Sequence, residues 1–151
     1  MTETEANERA KVCAIAREWV GTPFRDCAEV KGRNGGVDCA KLIYCVFNEA
    51  GKVEKLTIPA YSPQHFLHHA DEKFLGWVQS YAREIPEDQA QPADIVLYKL
   101  GKCFSHGAII IDPGWPNIIH AWFQARMVVR GHGLDGQLGK PTHVRKYFSR
   151  W

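Results

Sequence analysis

The chain has 151 residues, of which 45% are hydrophobic, so it is long enough and apolar enough for one globular domain with its own core. Its 19 Lys and Arg residues against 17 Asp and Glu give a net charge of +2, which is too small to favour nucleic acid as a partner. The acidic, polar start and the lack of a long apolar run in the sequence predict a protein without a signal peptide or membrane insertion, cytoplasmic as synthesised.

The first predicted helix begins at the N-terminus. Thr2 and Glu5 have the spacing of a capping box, and Gly21-Thr22-Pro23 is a stop signal. Between these two signals, apolar residues recur with helical spacing on one face: Val12, Ile15, Ala16, Trp19 and Val20. The charged and glycine-rich sequence over residues 24–37 then predicts an irregular loop.

A second helix is predicted from Asp38, which is a good N-cap, to Gly51, which is a good terminator. Cys39 lies on its first turn, where free backbone amides and the helix dipole stabilise an anion. We therefore expect a lowered pKa for the Cys39 thiol, which makes it a candidate nucleophile. Cys39 also begins an apolar stripe with Leu42, Ile43, Val46 and Ala50, so a buried structural cysteine remains the alternative.

A third helical region is predicted to start at Ser62-Pro63 and to run to Tyr81, with a break near Gly76. Three histidines lie on its polar face: His65, His68 and His69. Two of them have the i, i+4 spacing of metal ligands, but no carboxylate or third ligand accompanies them. A solvated face is therefore the favoured interpretation, and we expect no metal and no cofactor.

The second half of the chain has the pattern of an antiparallel β-sheet. Short apolar runs alternate with turn residues and predict strands over Asp94–Leu100, Ser105–Asp112, Asn117–Trp122, Met127–Gly131 and Val144–Phe148. Helices followed by strands predict an α+β fold, in which the N-terminal helices pack on one side of the sheet. We expect a single domain over residues 1–151.

Two histidines interrupt the apolar strands of this sheet. His106 and His120 lie on strands joined by the short Pro113-Gly114-Trp115-Pro116 segment, which predicts a hairpin. Any register that pairs residue numbers with an even sum near 226 to 230 places both side chains on one face, about 5 to 8 Å apart at Cβ. The two imidazoles could then share a hydrogen bond. The alternative is that each is a core histidine bonded to a backbone carbonyl.

Five short motifs resemble, in order, those of the NlpC/P60 cysteine peptidases, and are most similar to the small phage-associated cell-wall members. They are Gly21-Thr22-Pro23-Phe24, Gly36-Val37-Asp38-Cys39, Pro92-Ala93-Asp94-Ile95-Val96-Leu97, Ser105-His106-Gly107-Ala108-Ile109 and Ile119-His120-Ala121. The ordered set covers roughly residues 10 to 130, and is more specific than any single motif. The resemblance implies a papain-like fold and hydrolysis of the γ-D-glutamyl to diamino-acid bond in peptidoglycan stem peptides.

The resemblance also implies roles for individual residues. Cys39 matches the nucleophile, His106 the base and His120 the polar residue that orients the base. The residues beside these motif positions are the expected substrate-binding residues: Phe24, Arg25, Asp38, Ala40 and Ser105. Two positions depart from the family pattern, because Phe24 stands where many members have tyrosine and Ala40-Lys41 where a Ser-Gly pair is common. The oxyanion donors and the substrate preference can therefore differ here.

Other functions and other residues stay open on the sequence. One alternative is a thiol acyltransferase or amidase acting on another γ-glutamyl or lipid-like substrate, and another is a non-enzymatic wall-binding protein of a phage tail or virion, with tail components as partners. Five cysteines without a CxxC pair predict free thiols, with Cys45 and Cys103 structural. His132 and His143 are expected at the surface. Asp112 or His132 would be the next candidate for the third catalytic position.

Overall fold

A computed structural model describes residues 1–55 and 72–151 of the chain. These residues form three α-helices and eight β-strands, which confirms the predicted α+β class. The helices are α1 (Glu3–Glu18), α2 (Cys39–Glu49) and α3 (Lys73–Gln79). The strands are β1 (Glu29–Val30), β2 (Gly36–Val37), β3 (Arg83–Ile85), β4 (Ile95–Lys99), β5 (Phe104–Ile110), β6 (Asn117–Trp122), β7 (Met127–His132) and β8 (Arg145–Ser149). Short 3-10 turns cover Glu87–Gln89, Phe123–Ala125 and Gly136–Gly139.

Helix α1 begins as predicted, because the Thr2 hydroxyl accepts a hydrogen bond of 3.1 Å from the Glu5 amide. Its apolar side packs into the core through Val12 and Ala16. The placement of Val20 on this face is wrong, since Val20 is 41% exposed. The helix ends before Val20 at the C-cap residue Trp19, so the helical periodicity no longer applies there.

The irregular loop predicted over residues 24–37 contains a two-stranded ribbon, and that prediction is therefore wrong in part. Strands β1 and β2 pair antiparallel, with Glu29 opposite Val37. Strands of two residues are too short to show the alternation of apolar and polar residues, so no sequence pattern predicts this ribbon. A glycine is needed at Gly36, because a Cβ there would lie 2.5 Å from the Cδ atom of Arg25.

Helix α2 packs against both α1 and the sheet, and every residue from Cys39 to Phe47 is buried. Its predicted boundaries are confirmed. One oxygen of the N-cap Asp38 accepts from the Lys41 amide at 2.9 Å. At the other end Gly51 has a φ of +74°, the left-handed conformation that a glycine after a helix adopts.

The third helical region can be compared with the structure only in part. Its predicted start and the three histidines His65, His68 and His69 lie outside the described residues. The predicted break near Gly76 is wrong, because α3 continues through it. The Gly76 amide donates to the Glu72 carbonyl, and the Gly76 carbonyl accepts from the Ser80 amide.

Six strands form an antiparallel sheet in the order β3-β8-β4-β5-β6-β7. The five strands predicted between residues 94 and 148 are confirmed, although β3 is missing from the prediction. Strand β8 pairs on one side with β4 and on the other with β3, so the last strand returns to the middle of the sheet. The order is therefore more complex than a meander.

The sheet is buried on both faces. Odd-numbered residues such as Leu97 and Ile109 share a core with the helices, as the predicted one-sided helix packing requires. Even-numbered residues such as Tyr98 and Ile110 face away from the helices and pack with Leu138 and Tyr147. Gly107 lets the helices approach β5 closely, because a Cβ there would lie 2.8 Å from atoms of Ile43, Leu97 and Phe74.

A buried arginine fastens α1 to the sheet. The Arg9 guanidinium donates to the Asp94 carboxylate and to the Pro92 carbonyl, at 2.8 and 2.9 Å. It also lies 4.3 Å from the ring centre of Trp151. Both Arg9 and Asp94 are almost fully buried, so the Asp94 carboxylate depends on Arg9 for charge compensation, while Arg9 also pairs with Glu5 at 2.8 Å.

Candidate active site

The thiol of Cys39 contacts strand β5. Cys39 is the first residue of α2, and its Sγ atom donates to the Ser105 carbonyl oxygen at 3.6 Å. The backbone N–H groups of Gly107, Ala40 and Cys39 itself also face the sulfur. The sulfur therefore meets the main chain on both sides of His106.

The pairing of β5 with β6 explains why this contact is open to the thiol. The two strands are paired at Ile109 with Ile119 and at Ile110 with Ile118, and the paired register ends there. Main-chain groups of alternate residues point to the same neighbour, so the Ser105 carbonyl and the Gly107 amide point toward β6. The start of α2 fills this unpaired edge with the Cys39 thiol.

The two histidines of the hairpin are bonded to each other. Nε2 of His106 lies 2.8 Å from Nδ1 of His120, and the two residues are 5% and 4% exposed. The paired residue numbers sum to 228, within the predicted range, so the histidines are diagonal neighbours on one face and the prediction is confirmed. Gly131 makes room for the second ring, since a Cβ there would lie 3.1 Å from Nε2 of His120.

Two aromatic residues that the sequence did not single out enclose the histidine pair. Tyr98 lies opposite His106 in the register of β4 and β5, with ring centres 5.6 Å apart. The Trp122 ring is stacked on His120 at 5.2 Å and 18°, and its centre lies 4.8 Å from that of His106. The two-residue period of a strand could have identified Trp122, because it follows His120 by two residues and lies on the same face of the sheet.

Burial favours the neutral forms of the whole group. It raises the pKa of the Cys39 thiol, and the negative charge of Asp38 raises it further, against the opposing N–H groups. Burial also holds the pKa of His106 well below its ordinary value, with a smaller contribution from His120, and lowers that of His120 to about 4. The predicted lowering of the Cys39 pKa is therefore wrong, because desolvation outweighs the amides at the helix start.

The five expected substrate-binding residues lie around the thiol in different settings. Asp38 is buried, and its two oxygens accept from the Lys41 and Cys27 amides, so its carboxylate caps the helix. Ala40 and Ser105 meet the sulfur through the main chain.

Phe24 and Arg25 lie beside β2, where Phe24 is half-buried against the core. Phe24 is bridged to Val37, and its ring meets that of Phe123 edge to face at 5.6 Å. Arg25 is exposed, and its side-chain carbons lie against Gly36.

The remaining candidates lie apart from this group. Cys45 and Cys103 are buried, as expected for structural thiols, and burial raises the pKa of Cys45 to about 12. His132 is exposed, as expected, and His143 is half-buried. Asp112, the reserve candidate for the third position, is exposed and pairs with Arg17.

Neither a metal cluster nor a membrane-spanning helix occurs in the described part of the chain. Within residues 1–55 and 72–151, no three His, Cys, Asp or Glu side chains are grouped to hold a metal ion. Over the same residues, no helix combines the length and the apolar character needed to cross a bilayer.

Comparison with known proteins finds similarity in structure. The sequence matches no family model and no curated protein. The peptidoglycan hydrolase RipB of Mycobacterium tuberculosis superposes with a TM-score of 0.62 at 17% identity, over 99% of this chain and 68% of that one. The P60 domain of an antigen from M. avium subspecies paratuberculosis gives 0.63 at 18% identity, over 97% of both chains.

A third neighbour is RipD of M. tuberculosis, described as a non-catalytic NlpC/P60 domain protein adapted to peptidoglycan binding. Its TM-score is 0.60 at 15% identity, over 95% of this chain and 98% of that one. The chain therefore has the NlpC/P60 fold, as the sequence motifs predicted.

Proposed function

We propose that this protein is a cysteine endopeptidase that hydrolyses the γ-D-glutamyl to diamino-acid bond of peptidoglycan stem peptides. Cys39 is the nucleophile, His106 the base and His120 the residue that orients the base. The observation that carries the proposal is the position of the Cys39 sulfur, against the main chain on either side of His106, while His106 is bonded to His120 at 2.8 Å.

The proposed role of His106 as the base assigns the ring nitrogens in this mechanism. A base must keep one ring nitrogen free for the thiol proton, so in this mechanism Nε2 of His106 carries the hydrogen and donates to Nδ1 of His120, 2.8 Å away, and Nδ1 of His106 accepts the thiol proton. Because burial favours both neutral forms, the resting pair is thiol and imidazole. The proton therefore moves as the sulfur attacks, instead of being transferred beforehand.

The reaction then follows the pattern of thiol acyl transfer. Sulfur attacks the amide carbonyl, and the Cys39 backbone N–H at the helix start stabilises the oxyanion. Protonated His106 gives its proton to the leaving amine, and a thioester to Cys39 remains. His106 then takes a proton from water, which hydrolyses the thioester and frees the enzyme.

The structural neighbours support peptidoglycan as the substrate class. RipB is described as a peptidoglycan hydrolase, and so is SagA, whose NlpC/P60 domain has a TM-score of 0.55 at 18% identity. Delivery of this protein to the wall by a phage tail or by lysis is the further proposal that the motifs support. Its detection by mass spectrometry in purified virions tests that point.

Digestion of purified peptidoglycan by the wild type and by Cys39→Ala tests the proposed reaction. We expect the wild type to release fragments cut between D-glutamate and the diamino acid, and Cys39→Ala to release none while keeping its fold. Cys45→Ala is the matched control, because Cys45 lies on the same helix and is equally buried, at 9% exposure for both residues. Equal digestion by Cys39→Ala and the wild type contradicts the proposal.

Two other functions remain candidates, and the same digestion separates them. Wall binding without catalysis is favoured by the raised pKa of Cys39 and by the likeness to non-catalytic RipD. Co-sedimentation with insoluble peptidoglycan without any released fragment supports that function. An acyltransferase would instead give products whose mass includes an added amine.

A further inference from the structure

Trp122 is the residue nearest to both histidines that the proposed reaction does not use. Its ring centre lies 4.8 Å from that of His106 and 5.2 Å from that of His120, and it is nearly parallel to the His120 ring at 18°. Trp122 is the last residue of β6 and is half-buried. One side of the indole therefore covers the imidazole pair and the other reaches the surface.

We propose that Trp122 is a positioning residue, which fixes the His120 ring against His106 by stacking and keeps water from the imidazole pair. The inference rests on the proposed function, because it assigns a role within the same site. It goes beyond that function by naming a residue that controls when the base is able to accept a proton.

The stack restricts the ring of His120 in the orientation that the hydrogen bond needs. Rotation of the imidazole about its Cβ–Cγ bond would carry Nδ1 away from His106. A flat indole stacked at 5.2 Å opposes that rotation. Gly131 gives the ring its space from the β7 side. The stack therefore holds the plane of the His120 ring, and the hydrogen bond to Nε2 of His106 keeps Nδ1 on that side.

The groups around the pair show why water exclusion dominates its titration. Tyr98 of β4 packs against His106, and Cys39 of α2 contacts the Ser105 carbonyl beside it; burial raises the pKa of both side chains, so both are neutral near pH 7. Strand β7 opposes His120 with Val129 and Gly131, which do not titrate. The nearest charge on β8 is Arg145, which lies beyond Tyr98.

Removal of the indole therefore has an expected direction. Water would reach the imidazoles, the burial that lowers their pKa values would weaken, and both values would rise. A protonated His106 cannot accept the thiol proton, so the acid limb of the pH profile of kcat/KM would move to higher pH. If the indole acted mainly by a cation–π contact to the imidazolium, its removal would instead lower the pKa values and move the acid limb to lower pH.

The test compares Trp122→Ala and Trp122→Phe with the wild type, using kcat/KM on a synthetic stem peptide across pH. We expect Trp122→Ala to lose about tenfold in kcat/KM near pH 7 and to move the acid limb up by about one pH unit. Trp122→Phe retains a flat ring and should stay close to the wild type. Trp115→Ala is the control, because this half-buried indole packs against the same core cluster as Trp122 but its ring meets that of Tyr147, at 5.2 Å.

A second measurement does not depend on activity. Proton NMR titration of the histidine ring protons in the Cys39→Ala background gives the pKa values of His106 and His120 with and without Trp122. Higher values without the indole support the proposal, even if the wild type cleaves no stem peptide and the proposed reaction fails. Unchanged values, or an acid limb that stays in place or moves to lower pH, would overturn it.

Discussion

Acidification should destabilise this fold through the buried histidine pair. The pKa of His120 is about 4 in the folded chain, against an ordinary value of 6.5. Between these values the unfolded chain binds a proton that the folded chain does not, so the free energy of unfolding falls as the pH falls. From about pH 7 to about pH 4, His120 alone should remove about 3 kcal/mol. His106 shifts in the same direction and adds to the loss.

Urea unfolding followed by tryptophan fluorescence, at several pH values between about 7 and 4, measures this loss. The comparison is between the wild type and His120→Gln, whose side-chain oxygen can still accept from Nε2 of His106. Carboxylate titration affects both proteins equally, so the difference between their curves reports the titration of His120 together with its smaller effect on the pKa of His106. We expect the variant to be less dependent on pH by about 3 kcal/mol over this range. Parallel curves for the two proteins would refute the argument that His120 is buried in its neutral form.

Three further results are expected. Gly107→Ala should lower the free energy of unfolding by about 1 to 3 kcal/mol, measured by urea titration, since its methyl group has no space between β5 and the helices. Arg9→Leu should cost about 3 to 5 kcal/mol, because it leaves Asp94 buried without its partner, and Arg9→Leu combined with Asp94→Leu should recover part of that loss. Alkylation of Cys39 by iodoacetamide, followed by peptide mass mapping, should be slower near pH 7 than that of half-buried Cys27 and should still be rising at about pH 9, whereas a plateau near neutral pH would show a lowered pKa.

Local signals were sufficient where neighbouring residues complete an element by themselves. Thr2 and Asp38 each satisfy a free amide at a helix start within three residues, and Gly51 supplies the left-handed turn at the end of α2. The hairpin that carries the two histidines was also predictable from neighbouring residues. Its short connection and the two-residue period restrict the register, so the side-chain faces follow from residue numbers alone.

The pairing of strands that are distant in the chain could not be predicted from the sequence. Strand β3 has three residues and exists because β8 lies beside it, and β8 joins the sheet between β3 and β4. The β1 and β2 ribbon is similarly short, and the Lys41 ammonium fixes it to α2 at 3.2 Å from the Glu29 carboxylate. Such elements are stabilised by distant partners, and no periodic pattern predicts them.

The sequence by itself determined which chemical groups are present and that two imidazoles share a face of one hairpin, because those depend on residue identity and strand period. Only the tertiary structure decided their protonation. The thiol of Cys39 occupies the unpaired edge of β5, and Trp122 and Tyr98 enclose the imidazoles. Desolvation depends on atoms contributed by distant segments, so the balance between the helix amides and burial can be read only from the packed molecule.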